Sequence, residues 1–218
     1  MKTAYFTEDN IDDRAQAMLS GIRDRVKVRD IQVEPRHSAL LILDVQRYFS
    51  DPDSHAFIPS LLPVIARIEE MEAAYTAAGL PVVLTRHVNT QEDAGLLATW
   101  WKDLIRAGTR YSEIEPALIS PGSIVIEKTQ YDAFHGTRLE EELRERGVSQ
   151  VVVTGVMTHL CCETTARSAF MRGFTVLIPM DATATYNEDF HFGSLLNLSH
   201  GFAVPILTRD LLAALEGA

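Results

Sequence analysis

Short apolar runs separated by helical patterns constrain the fold of this chain more than any other feature of its sequence. The runs are rich in β-branched residues and almost continuous, which is typical of strands buried on both faces of a sheet. They occupy residues 38–44, 81–87, 123–128, 150–156, 175–182 and 204–210.

The segments between these runs predict helices, and several of them end at a glycine that suits a helix C-terminus. Strands that alternate with helices form a parallel sheet with helices on both faces. We therefore predict an α/β fold: a three-layer α/β/α sandwich with a six-stranded, mainly parallel sheet.

The first 37 residues differ from the rest because they are dense in charge. Apolar side chains nevertheless recur there at helical spacing, at Ile11, Ala15, Met18, Ile22 and Val26. This spacing predicts an amphipathic N-terminal arm over residues 1–37, before a domain at residues 38–218. The arm would pack on that domain or on a neighbouring subunit, and a partly ordered tail is the alternative.

Composition narrows the classes of partner. The chain has 20 Lys plus Arg against 30 Asp plus Glu, a formal charge of -10, which argues against nucleic acid or an anionic membrane. No apolar run approaches the roughly 20 residues that span a bilayer, and the N-terminus lacks a secretory apolar segment. Two adjacent cysteines make a poor disulfide framework. We expect a cytoplasmic protein that binds a small molecule.

Three chemically reactive side chains follow three of the predicted strands. Asp44 and Lys128 each end an apolar run, and Cys161 follows another after a short turn. Taken alone, each has a plainer interpretation: a turn residue, a solvated amine and a small core side chain. Ligands of parallel sheets bind at the carboxyl ends of the strands. The convergence of an acid, an amine and a thiol there predicts a catalytic site.

Helical geometry separates the two cysteines. Cys162 shares a small, apolar face with Ala166 and Ala169, whereas Cys161 lies about 100° away around the helix. At the first helical turn, backbone N–H groups and the helix dipole favour an anion. With a lysine nearby, such a place is expected to lower a thiol pKa from about 8.5 toward neutrality. Cys161 is therefore the candidate nucleophile, and Cys162 is assigned to packing.

These residues lie in three motifs, LLILDVQRYF, IEKTQYDAFHGTRLEEEL and VVVTGVMTHLCCETTARSAF, in that order. Together they resemble the isochorismatase-like cysteine hydrolases, over roughly residues 35 to 212. The positions that match the family pattern are Asp44, Gln46, Phe49, Lys128, Ala133, Phe134, Thr137, Leu139, Gly155, Val156, Thr158, Cys161 and Thr165.

The resemblance implies an Asp44–Lys128–Cys161 triad that works without a cofactor. Cys161 would attack a carbonyl carbon to give a thioester, while Asp44 moves the protons and Lys128 orients it. In this family the peptide bond before the position of Met157 is cis, which turns an N–H inward. The N–H groups of Met157 and Cys161 would then form the oxyanion hole.

Departures from relatives within the family narrow the chemistry. Nicotinamidases carry Asp-x-His after the second strand as metal ligands, whereas this chain has His87 and Asn89 there, so we predict no metal site. Isochorismate hydrolases have a small residue at the place of Cys161 and an arginine at that of Gln130. The cysteine triad therefore favours hydrolysis of a C–N bond.

Five residues are candidates for substrate binding: Phe134, Tyr131, Gln46, His87 and Trp101. Helix packing or a subunit contact is an alternative for Trp101 and its neighbour Trp100, and packing or solvation for His87. Asp132 stands where the family often has Ser and hints at a cationic or polar substrate.

Three hypotheses follow. The first is a cysteine hydrolase that cleaves the C–N bond of a small amide, ureido or carbamoyl compound. The second is a hydrolase of an isochorismate-like vinyl ether with Asp44 as its acid, and the third is a non-catalytic, oligomeric binding protein. Family members commonly form dimers or tetramers, so a homo-oligomer is expected.

Overall fold

The computed structural model describes residues 1–217 and contains one parallel sheet at its centre. The strands are β1 (Ser38–Leu43), β2 (Val82–His87), β3 (Ile124–Lys128), β4 (Gln150–Val156), β5 (Thr175–Pro179), β6 (Thr183–Ala184) and β7 (Val204–Ile206). Every residue of β1 and β4 is buried, as their continuous apolar sequences predict. The predicted parallel sheet is confirmed, with the two-residue β6 as an additional strand.

The order of the strands is β3-β2-β1-β4-β5-β7, and β6 pairs with β4. After β1 the chain adds β2 and β3 on one side of the sheet, and it then returns to add β4 on the other side of β1. The connections that follow β1 and β3 therefore run in opposite directions across the sheet, and the direction changes between β1 and β4. At such a switch point a crevice forms at the carboxyl ends of the strands.

Helices cover both faces of the sheet, as predicted for a three-layer sandwich. They are α1 (Ile11–Arg23), α2 (Arg47–Ser50), α3 (Leu61–Ala77), α4 (Leu97–Trp100), α5 (Leu139–Glu145), α6 (Glu163–Met171), α7 (Glu188–Gly201) and α8 (Thr208–Glu216). Helix α3 packs with α8 and contacts β1, whereas α6 packs with α7 and contacts β5. Among residues 1–217, no helix is both long and apolar enough to cross a membrane.

The last predicted strand is shorter than expected. Residues 204–210 were predicted to be extended, but β7 ends at Ile206 and α8 begins at Thr208. The buried carboxylate of Asp181 accepts hydrogen bonds from both the N–H and the hydroxyl of Thr208, each at 2.9 Å. An acceptor at the start of a helix satisfies a free N–H group, which favours the helix over a longer strand.

The N-terminal segment packs on its own domain. Helix α1 buries Ile11, Ala15, Met18, Leu19 and Ile22 and contacts α7. Ahead of it, the buried Tyr5 and Phe6 donate their N–H groups to the Ser60 hydroxyl. The arm therefore packs on the domain of its own chain, and a contact with a neighbouring subunit stays a prediction. The predicted domain end, Ala218, lies outside the described residues.

Close approach of β1 and β4 depends on Gly155, whose φ is +102°. A Cβ added there would lie 2.7 Å from the backbone nitrogen of Leu43, its partner on β1. Gly147 also has a positive φ, +67°, but nothing lies within 4 Å of an added Cβ.

We predict that Gly155→Ala lowers the free energy of unfolding far more than Gly147→Ala. The control substitution meets only the left-handed backbone penalty, about 1–2 kcal/mol, whereas Gly155→Ala adds a backbone clash at the centre of the sheet. Urea unfolding followed by circular dichroism measures both values. Equal losses in the two variants would contradict this account of Gly155.

Candidate active site

The three predicted reactive side chains meet at the carboxyl edge of the sheet. The Lys128 ammonium lies 2.7 Å from Asp44 Oδ2 and 3.5 Å from Cys161 Sγ. All three residues are buried, with 1% of Asp44, 2% of Lys128 and 7% of Cys161 exposed. The predicted convergence of the acid, the amine and the thiol is therefore observed, and their catalytic role stays a prediction.

Asp44 takes its place because the chain turns sharply after β1. Its φ is +53°, a left-handed conformation that aspartate tolerates better than most residues. Thr85 on β2 accepts the Asp44 N–H at 3.1 Å and donates its hydroxyl to Asp44 Oδ1 at 2.6 Å. Oδ1 is thereby fixed, and Oδ2 faces Lys128.

Lys128 reaches Asp44 from the edge strand β3, past the end of β2. Its ammonium also donates to the backbone carbonyls of Gln130, at 2.8 Å, and Tyr131, at 3.3 Å. An ammonium has three protons to donate, which Asp44, these two carbonyls and His87 Nδ1 share. The side chain is consequently held in one place.

Cys161 lies in a π-helical turn, Thr158–Cys162, between β4 and α6. The Val156–Met157 peptide bond is cis, as the resemblance implies. Fully buried His191 anchors the turn, with Nδ1 2.9 Å from the Thr158 hydroxyl. Cys162 is also fully buried, with Sγ 3.7 Å from the Thr154 carbonyl oxygen, which agrees with its assignment to packing.

The predicted lowering of the thiol pKa is wrong. Burial raises the pKa of Cys161, and the neighbouring Asp44 carboxylate adds to this, although Lys128 acts in the opposite direction. Cys161 lies in the π-helical turn that runs directly into α6 at Glu163. The resting thiol is therefore protonated at neutral pH.

Asp44 and Lys128 keep their charges. Burial alone would raise the pKa of Asp44, but the Lys128 charge outweighs it and the pKa is lowered. Burial alone would lower the pKa of Lys128, but Asp44 outweighs it and the pKa is raised. The site at rest is thus an ion pair beside a neutral thiol.

His87 closes the same network from the end of β2. Its Nδ1 lies 3.4 Å from the Lys128 ammonium and its Nε2 lies 2.7 Å from Asn89 Oδ1. An ammonium offers only protons, so Nδ1 is the acceptor and Nε2 carries the hydrogen. Burial, together with the Lys128 charge, lowers the pKa of His87, and the ring is neutral.

The donor set does not suit a metal ion. Ligand atoms of Asp44, His87 and Cys161 lie within 4.8 Å of one another. The Lys128 ammonium, however, contacts the same three side chains and supplies the positive charge that a metal would bring.

A small cavity opens above the thiol. Its aromatic wall consists of Tyr48, Phe49, Trp101, Tyr131 and Tyr186. Its polar lining consists of Asp44, His55, His87, Asn89 and Asp103, with Met157 and Cys161 beside them. Three predicted substrate contacts, Tyr131, His87 and Trp101, therefore face the cavity.

Two other predicted contacts lie elsewhere. The Phe134 ring stacks on Phe174, 6.0 Å between ring centres, and lies under the Arg172 guanidinium, so it belongs to packing. The Gln46 amide is buried and bridges the backbone of His87 to that of Ser112. Neither residue lines the cavity.

The same correction applies to two weaker candidates. The Asp132 carboxylate accepts from the Phe134 N–H and the Ser168 hydroxyl, and Trp100 is 75% exposed; neither lines the cavity. Sequence reasoning also missed residues that do line it, above all His55 and Asp103. Both lie between regular elements, where no periodicity marks them.

We predict that the rate of Cys161 alkylation, measured in a Cys162→Ala background, rises with pH to a midpoint above the free-thiol value of about 8.5. Asp44→Asn should lower that midpoint, because it removes a carboxylate that disfavours the thiolate. Lys128→Met should raise it further, because it removes the compensating ammonium.

Exposed Lys102 provides the matched control, and Lys102→Met should leave the midpoint unchanged. A midpoint near neutrality in the unsubstituted site would contradict the neutral resting thiol. So would a midpoint that rises in Asp44→Asn.

Comparisons with known proteins identify the family. The family model described as the isochorismatase domain matches residues 38–210. Nicotinamidase 3 of Arabidopsis thaliana is 40% identical over 204 residues, which cover 89% of this chain and 99% of the relative. The isochorismatase of Bacillus subtilis strain 168 is 31% identical over 191 residues, which cover 85% of this chain and 60% of the relative.

The solved structures support the fold. A cysteine hydrolase from Pseudomonas syringae pv. phaseolicola 1448A superimposes with a TM-score of 0.80 at 24% identity, over 87% of this chain and 97% of that one. The family match covers most of the chain and includes all three converging side chains. The chain therefore belongs to the isochorismatase family of hydrolases.

Proposed function

We propose that this protein hydrolyses the C–N bond of a small amide, ureido or carbamoyl compound through a thioester on Cys161. The observation that carries the proposal is the buried Asp44–Lys128 ion pair in direct contact with a thiol that lines a cavity. An acid–base group, a charge that orients it and a nucleophile are the parts that covalent acyl transfer requires.

In the first step Asp44 acts as the base. The Cys161 thiol is neutral and the Asp44 carboxylate is ionised, so the proton moves from sulfur to Asp44 as sulfur attacks the substrate carbonyl. The Lys128 ammonium stabilises the negative charge on sulfur during this transfer. The N–H groups of Met157 and Cys161 are the proposed donors to the oxyanion.

In the second step the C–N bond breaks. The leaving nitrogen takes the proton held by Asp44 and departs as ammonia or an amine, which leaves a thioester. Water then attacks the thioester and gives its proton to Asp44. The C–S bond breaks, the proton returns to sulfur, and the carboxylic or carbamic acid leaves.

Similarity favours an amide among the possible substrates. The relative named a nicotinamidase is matched over nearly its whole length, whereas the relative named an isochorismatase is matched over 60% of its length. Nicotinamide is therefore the first amide to test, although His87 and Asn89 depart from the metal-ligand pattern of nicotinamidases.

The acidic residues that line the cavity argue against hydrolysis of a vinyl ether such as isochorismate. Isochorismate carries two carboxylates, and its binding calls for basic side chains. Among the described residues that line the cavity there is no lysine or arginine, and Asp44 and Asp103 are acidic. The vinyl-ether reaction would also leave the Cys161 thiol without a role.

We predict that Cys161→Ala lowers ammonia release from the best amide in a panel by at least about 10³-fold, because the residues of a triad act as a unit. The panel contains nicotinamide, benzamide and simple ureido and carbamoyl compounds. Cys162→Ala is the matched control and should keep activity within about threefold, since Cys162 only packs.

Pyruvate release from isochorismate is measured on the same variants. Ammonia release at the native rate in Cys161→Ala would overturn the proposal. Pyruvate release that survives loss of the thiol, with no amide turned over, would favour the vinyl-ether reaction instead.

A further inference from the structure

We propose that Asp103, with the aromatic wall beside it, forms a subsite for a cationic nitrogen of the substrate, such as an ammonium group. The inference rests on the proposed amide hydrolysis, because it assigns the substrate class of that same cavity. The scissile amide would lie at Cys161 and the cationic group at Asp103.

Asp103 belongs to a polar cluster that is separate from the triad. The Tyr48 hydroxyl donates to Asp103 Oδ1 at 2.5 Å, and His55 Nδ1 lies 3.4 Å from Asp103 Oδ2. All three residues line the cavity. The Asp103 side chain is 52% exposed although Tyr48 is buried, so its carboxylate remains open to a ligand.

The charge balance around the cavity leaves Asp103 as the exposed negative group. Asp44, the other lining carboxylate, is neutralised by Lys128. Asp103 has His55, which carries a charge only when protonated. Lys2 lies over the Tyr186 ring and donates to the His55 carbonyl, and Arg106 lines an adjoining depression that Asp103 also borders, but neither cation lines the cavity itself.

The aromatic wall suits the same ligand. The faces of tyrosine and tryptophan rings attract cations, and more strongly where water is excluded. The Trp101 indole N–H donates to the Tyr131 hydroxyl at 2.7 Å, which fixes the two rings relative to each other. A carboxylate in a cavity lined by aromatic side chains is a combination that recognises ammonium groups.

The subsite is held by the sheet rather than by a free loop. The Asn89 N–H donates to the Ile105 carbonyl at 2.7 Å, which ties the segment that carries Asp103 to the end of β2. Burial and the Asp103 carboxylate raise the pKa of Tyr48, so its phenol stays protonated and keeps donating. Little ordering of this cluster is therefore required on binding.

The test compares two ligands of nearly the same shape, 4-(aminomethyl)benzamide, which is cationic at neutral pH, and neutral 4-ethylbenzamide. Binding is measured by calorimetry in a Cys161→Ala background, where neither is hydrolysed. We expect the cationic ligand to bind about tenfold more tightly, the gain typical of one charge-assisted contact. Asp103→Asn should abolish that preference and leave the affinity for the neutral ligand unchanged.

Asp53→Asn is the matched control, because Asp53 is exposed, lies two residues before His55 and does not line the cavity. It should keep the preference, and so should Arg106→Gln. A second measurement uses the protein with Asp103 intact. The ratio of the affinities for the cationic and the neutral ligand should fall toward one as salt is added, because salt screens an exposed charge.

Equal affinity for the two ligands, failure of both to bind, or a preference that survives Asp103→Asn would each overturn the subsite. Tighter binding of anionic 4-carboxybenzamide that depends on Arg106 would overturn it as well. Because this test requires no turnover, it gives its answer whether or not the panel of amides is hydrolysed. Failure of the subsite and failure of the proposed reaction are thereby distinguished.

Discussion

The ion pair between Lys128 and Asp44 is the interaction on which the rest of the site depends. Both side chains are almost completely buried and their charged atoms lie 2.7 Å apart. A buried charge without a partner is strongly destabilising, and removal of one member of such a pair typically costs about 3–5 kcal/mol. The order of the sheet makes this pair possible. Lysine, on edge strand β3, has the length to reach β1 past the end of β2, where His87 supplies a further contact.

The ion pair also affects the protonation state of the Cys161 thiol at rest. Lys128 favours a thiolate, but burial and the Asp44 carboxylate together oppose it, so sulfur stays protonated at rest. A base that is ionised and within reach of the thiol makes a preformed thiolate unnecessary. On this account the nucleophile is generated when the substrate arrives, and the same proton can then serve the leaving nitrogen.

The sequence predicted the sheet and the converging side chains for one physical reason. Parallel strands end at the same edge, so Asp44, Lys128 and the turn that holds Cys161 had to be neighbours. That rule fixes the level of a residue along the sheet but not the direction of its side chain. Gln46 and Phe134 fit the motif yet face the backbone of the β2 end and Phe174, respectively.

Other features depended on contacts that a linear pattern does not contain. The thiol pKa was misjudged because the effect of burial exceeds that of the nearby lysine. The last strand is shorter than predicted because the buried Asp181 favours an early start of α8. Asp103 and His55 lie between regular elements, and they meet Tyr48 only in the folded chain.

Partition of the acyl group between water and hydroxylamine tests the central claim, a thioester on Cys161, most directly. An amide and an ester of the same acid are hydrolysed at one fixed hydroxylamine concentration, and the ratio of hydroxamate to acid is measured. The account predicts that hydroxamate forms and that the ratio is the same for both substrates, because both pass through the same acyl-enzyme. Ratios that differ between the two, or acid as the sole product, would contradict it.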